Sequence, residues 1–90
     1  MSEGREARVK RLHMRSIRRG IKEMDLILTA FAQTHLAGLS DDALETYDAL
    51  LSENDHDLYG WVTGQFETPA RYTHLMPLIA KGAHGLTRPG

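Results

Sequence analysis

Apolar side chains recur along this chain at intervals of three and four, and no stretch alternates strictly, so the pattern predicts helices and no strands. The richest stretch, about 21–35, sets Ile21, Met24, Leu28 and Phe31 at spacings of three, four and three, flanked by Ile27 and Ala30. It should form the central helix. Ahead of it, a helix over about 5–19 has only Val9, Leu12 and Ile17 as apolar positions, with Met14 at its edge. That helix should add little to the core and keep its basic face in water.

Gly38 breaks the pattern, and Ser40-Asp41-Asp42 supplies a start signal: a hydroxyl to cap free amides, then two carboxylates at the positive end of the helix dipole. A third helix over about 41–52 would bury Ala43, Leu44, Tyr47, Leu50 and Leu51. Asn54-Asp55-His56-Asp57 reads as the next break and cap, leading to a short helix with Leu58, Trp61 and Val62 on one side and Gly64 at its end. Thr68-Pro69 then places a cap residue before a proline suited to a first helical position, and Tyr72, Leu75, Met76 and Ile79 fit a fifth helix. Pro77 conflicts with a continuous helix, because an interior proline costs about 3 kcal/mol or forces a kink; this helix should be bent or split. Residues 82–90 show no core pattern and should fray. The expected fold is all-α, a small compact five-helix bundle forming a single helical domain over residues 1–90, with its ordered core at about 5–80.

Ninety residues allow one small core and exclude a two-domain enzyme. The absence of cysteine removes disulfides, thiolate metal sites and a cysteine nucleophile, and suits a reducing compartment. No apolar run approaches the ~20 residues that cross a bilayer, so no membrane association is expected. The start, Met1-Ser2-Glu3-Gly4-Arg5-Glu6, lacks the apolar core of a secretory signal, and Glu3 and Glu6 argue against a mitochondrial transit peptide. On these grounds the chain is expected to be cytoplasmic.

The overall charge of -1 hides a strong asymmetry. Residues 1–22 carry eight Lys and Arg against two Glu, a net +6, whereas residues 23–67 hold ten carboxylates and no Lys or Arg. A basic element thus lies beside an acidic body, an arrangement able to steer a charged partner.

The junction of the first two helices concentrates the polar chemistry: Arg18-Arg19-Gly20-Ile21-Lys22-Glu23-Met24-Asp25. Two readings of it stand side by side. In the structural one, Arg18 and Arg19 complement the negative end of the first helix, Gly20 forms a left-handed cap and Glu23 lies near the start of the second helix. In the functional one, a tight glycine corner lets a partner's backbone approach, while Arg19 and Glu23 offer a donor fork and an acceptor.

These residues carry a resemblance. Arg19-Gly20-x-x-Glu23, preceded by Arg18 and followed by Met24-Asp25, resembles the RGxxE signature of the SdhE-type succinate dehydrogenase flavinylation (FAD assembly) factors. Leu39-Ser40-Asp41-Asp42 and Asp55-x-Asp57-Leu58-x-x-Trp61 resemble that family's third and fourth helices, so the likeness covers about residues 5–66. The Pro77 region and the tail after it depart from the charged, continuous last helix of the family. The resemblance implies a small assembly chaperone that binds the flavoprotein subunit of succinate dehydrogenase, or of fumarate reductase, and promotes covalent attachment of FAD to a histidine of that subunit. Arg19, Gly20 and Glu23 would face the partner's flavin site, with Arg18 and Asp25 as neighbours. FAD would act in the partner, with no cofactor bound stably by this chain, whose contribution would be positioning.

Other constellations are weaker. No Gly-x-Gly-x-x-Gly after a strand and no P-loop occurs. The five histidines, His13, His35, His56, His74 and His84, show no close helical pairing and read as surface or tail residues, so no metal site is expected. Asp55 and Asp57 lack the remainder of a calcium loop and read as capping residues. The Gly60 and Gly64 spacing suits helix packing or termination, and Trp61 a core or interface anchor. Tyr47 and Tyr59 fit either a core or a surface place. No nucleophile, base and orienting group assemble from the spacings, so the chain is not expected to be an enzyme. The competing class is a small nucleic-acid-binding or antitoxin-like module using the basic first helix, against which the acidic residues 23–67 would repel phosphate.

Overall fold

The computed structural model describes residues 3–83, and through their centre runs the 14-residue helix α2 (Lys22–His35). Around it lie α1 (Arg5–Ser16), α3 (Asp41–Leu50), α4 (Asp55–Thr63) and α5 (Met76–Ala83), with single 3-10 turns at Leu36–Gly38 and Ala70–Tyr72. No strand occurs among the described residues, so the fold is the all-α five-helix bundle that the periodicity predicts. Met24, Ile27, Leu28, Phe31 and Ala32 of α2 are buried, and the helix packs against α1, α4 and α5. Leu44, Tyr47 and Leu50 of α3, Leu58 of α4, and Tyr72, Leu75, Met76 and Ile79 join the core, together with Leu12, Leu36, Leu51 and Ala83.

Local signals act largely as read. The Ser40 side chain accepts the amide hydrogen of Ala43 at the start of α3, and Asn54 accepts that of His56 at the start of α4. Gly64, at φ +79°, closes α4 in the left-handed conformation, and Gly60 packs under the ring of Phe66. The C-terminal element is split, as Pro77 requires: Pro69 precedes the 3-10 turn, and Pro77 occupies the first turn of α5, where a missing amide hydrogen breaks no helical bond. The expected fraying from residue 82 is corrected at its start, since Gly82 and Ala83 belong to α5 and Ala83 is buried. Residues 84–90, including His84, lie outside the described residues. Trp61 packs against Tyr72 with ring centroids 5.6 Å apart, Tyr47 is buried and Tyr59 is half-buried.

The first helix departs most from expectation. It ends at Ser16 rather than about residue 19, and its basic face is not simply wet. Burying one large apolar side chain contributes about 1.5–3 kcal/mol, and α1 buries only Leu12 in this way. Polar contacts supply the rest of its attachment. Ser16, fully buried, lies 2.6 Å from the Tyr47 hydroxyl and donates to the Leu12 carbonyl at 2.7 Å. Arg11 bridges Glu3 and Asp48, each at 2.9 Å, Arg15 pairs with the same Asp48, and Arg5 reaches Asp41 at 2.8 Å. The Arg11 guanidinium holds the Asp48 carboxyl below its ordinary value, with Arg15 adding to the effect. The acidic α3 therefore neutralises much of the basic α1.

Candidate interaction corner

Residues 17–21 join α1 to α2, and their geometry differs from a glycine-capped helix end. Ile17 is extended (φ -99°, ψ 166°), and Arg18, not Gly20, occupies the left-handed region at φ +58°. A non-glycine residue there is uncommon and carries a cost of about 1–2 kcal/mol. The Arg18 amide hydrogen is received by the Asp25 carboxylate at 3.2 Å, and Thr29 donates to the same oxygen at 3.3 Å. Asp25, from the first turn of α2, thus braces the strained residue. Arg18 and Arg19 lie beyond the last turn of α1, so the expected dipole contact is replaced by these specific bonds.

Gly20 has a different reason to be glycine. Its amide hydrogen is donated to Asp55 Oδ2 at 2.6 Å, and a Cβ built on Gly20 would lie only 3.0 Å from that oxygen. The other oxygen of Asp55 takes Arg19, whose Nε and Nη2 both approach Oδ1 at 2.9 Å. Arg19 also donates through Nη1 to the Arg15 carbonyl at 3.2 Å. The side chains of Arg19 and Asp55 are only 12% and 16% exposed, so the pair is partly desolvated. Hydrogen bonds to a charged group net about 1.5–3 kcal/mol each, above the usual range for exposed ion pairs.

Arg18, Arg19, Gly20, Glu23 and Asp25 therefore come together at one corner, in unequal roles. Arg19 and Asp25 face inward and hold the turn, whereas Arg18, Gly20 and Glu23 are exposed. No ion pair joins Arg19 to Glu23 among the described residues, and the donor fork expected of Arg19 is turned to Asp55. Asp55, read from sequence as a cap, is the residue that reading missed. Its signal lay in Asn54: one cap suffices for α4, which left the neighbouring carboxylate without a local task. Beside the corner, Ile17, Lys22, Asp25, Leu26, Thr29 and Ala30 line an open, largely apolar groove of about 560 Å³, where Leu26 is 47% exposed.

Fold and corner together define a small all-helical protein with a pinned, solvent-facing charged turn. Residues 10–83 match the family described as Sdh5, flavinator of succinate dehydrogenase. Proteins named succinate dehydrogenase assembly factor 2 from Meyerozyma guilliermondii and Mycosarcoma maydis are 40% and 39% identical over 96% and 94% of this chain. The similarly named factor 2-A of Drosophila yakuba is 40% identical over 97% of it. The aligned part spans 67%, 36% and 57% of those three relatives respectively. The chain belongs to the Sdh5 family of succinate dehydrogenase assembly factors, a family named for assembly and not for a reaction of its own.

The expected cytoplasmic location is overturned, because these relatives are named as mitochondrial proteins. That expectation leaned on the carboxylates of residues 3 and 6. In the structure Glu3 pairs with Arg11 and Glu6 lies in the first turn of α1, so both belong to the folded domain and carry no information about compartment. Among the described residues no helix is long and apolar enough to cross a membrane.

Proposed function

We propose that this chain, acting in the mitochondrion, binds the flavoprotein subunit of succinate dehydrogenase, or that of fumarate reductase, and promotes covalent attachment of FAD to it. The flavin and the bond-forming chemistry belong to the partner, with no cofactor held stably by this chain. The assembly factor contributes geometry, holding the flavoprotein so that the acceptor histidine and flavin approach productively. The partner-binding site is the corner of Arg18, Arg19, Gly20, Glu23 and Asp25, in which Arg18, Gly20 and Glu23 are exposed and Arg19 and Asp25 hold the turn. The observation that carries this reading is the pinned turn: strain at Arg18 and a partly desolvated ion pair at Arg19 are held together while Glu23 and Gly20 stay open to solvent. The adjoining groove at Ile17, Leu26 and Ala30 offers apolar area next to those polar groups.

The nucleic-acid reading has less support, because Arg5, Arg11, Arg15 and Arg19, four of the eight Lys and Arg of residues 1–22, are paired with carboxylates of the chain itself. The test is co-expression of a succinate dehydrogenase flavoprotein subunit with and without this chain, reading covalent flavin by fluorescence in a denaturing gel. More covalent flavin with the chain, reduced by Glu23→Ala in a folded variant, is expected. Equal fluorescence throughout would refute the assembly role.

A further inference from the structure

We infer that Asp55 is a positioning residue for partner binding, and that Arg19 acts through it and not by touching the partner. This rests on the reading of the corner as the flavoprotein-facing surface.

A single carboxylate on α4 ties down two consecutive residues of the turn, the guanidinium of Arg19 through one oxygen and the amide hydrogen of Gly20 through the other. The contact joins positions 35 and 36 residues apart in sequence, so it fixes the turn against the body of the bundle and not against its own helices. Gly20 completes the arrangement, since a side chain there would press on Asp55 Oδ2. Arg19 donates Nε–H to Asp55 and one Nη1–H to the Arg15 carbonyl, with Nη2 turned to Asp55 as well, and its side chain is only 12% exposed, so little of it is presented to a partner. Solvent meets the neighbours instead, Arg18 and Glu23, whose placement depends on how the turn is held. A preorganised turn avoids the ordering cost that a loose one would incur on binding.

The test measures the dissociation constant for the flavoprotein subunit with wild type, Asp55→Ala, Arg19→Ala, the Asp55→Ala/Arg19→Ala double variant and Gly20→Ala. Affinities are normalised to the folded fraction by circular dichroism, and the Gly20 amide resonance is followed by NMR in the free protein. Each single variant is expected to weaken binding about tenfold, through the ordering cost that the loosened turn then meets on binding. The double variant should be no worse than either single, because both remove one clamp. The Gly20 amide proton should move upfield in Asp55→Ala, a change that a general loss of stability would not produce in the folded fraction. Should Asp55→Ala fail to fold, Gly20→Ala carries the comparison with both charged partners retained. Losses that multiply in the double variant to about a hundredfold would show Arg19 meeting the partner directly and overturn the inference. Unchanged affinity in Asp55→Ala, or in Gly20→Ala where it stands in, would overturn it while leaving the proposed function intact. No binding by wild type would overturn both.

Discussion

The bond between Ser16 and Tyr47 gives an unequal pair of mutational costs, set by which hydroxyl owns the shared proton. Both residues are fully buried. The single hydroxyl proton of Ser16 is donated to the Leu12 carbonyl at 2.7 Å, so the 2.6 Å contact requires Tyr47 to donate its own proton to Ser16 Oγ. Tyr47→Phe removes that donor while Ser16 keeps its bond to Leu12, a loss of about 1 kcal/mol. Ser16→Ala instead leaves the phenol hydroxyl buried without an acceptor, a cost of about 1–3 kcal/mol. The double variant removes both polar groups and should be more stable than Ser16→Ala alone, giving a coupling of about 1–2 kcal/mol. Urea unfolding followed by circular dichroism measures all three, and in thermal melts each kcal/mol corresponds to about 4–8 °C for a domain of this size. Burial also pushes the Tyr47 phenol up to about 12. A raised phenol stabilises the fold below the unfolded value of 10 and loses that contribution as pH climbs toward 12, so Tyr47→Phe should flatten part of the alkaline fall in stability. Ser16→Ala proving no costlier than Tyr47→Phe, or strictly additive costs, would refute the reasoning. Since Ser16 is the last residue of α1, this bond also sets where the charged turn begins.

Two further outcomes are expected. Asp48 is held below its ordinary value of 3.8, first by its bond to Arg11, so its contribution is present above that value and lost as pH falls through the lower folded one. The stability difference between wild type and Asp48→Asn should therefore be full at neutral pH and shrink below about pH 3.8; a difference constant from pH 7 to 2 would contradict the contact. A methyl group in Gly60→Ala would overlap the ring of Phe66, which is 48% exposed and can swing outward, so the cost should sit near 1 kcal/mol, at the low end of overpacking. Adding Phe66→Ala should relieve the overlap, and an equal loss in the double variant would place the clash elsewhere.

The helices, their caps and most core positions were legible in the sequence because they depend on neighbours within a few residues. The spacing of Met24, Leu28 and Phe31 specifies a buried face whatever lies opposite, Ser40 and Asn54 act on amides two or three residues away, and Pro77 must split its helix wherever that helix packs. The corner was legible as a place, through its concentration of arginine, glycine and carboxylate, and through its likeness to a family to which the chain does belong. Its internal geometry was not. The left-handed residue is Arg18 because Asp25 and Thr29 are there to receive and brace its amide, and Gly20 is glycine because a carboxylate 35 residues away must come within reach. Which basic residues of α1 and of the turn after it remain open was likewise decided by the carboxylates of α3 and α4 that folding brings beside them. Local periodicity and capping act along the chain, whereas the pairing of a distant carboxylate with a guanidinium exists only once the helices have packed, and that pairing orients the charged turn.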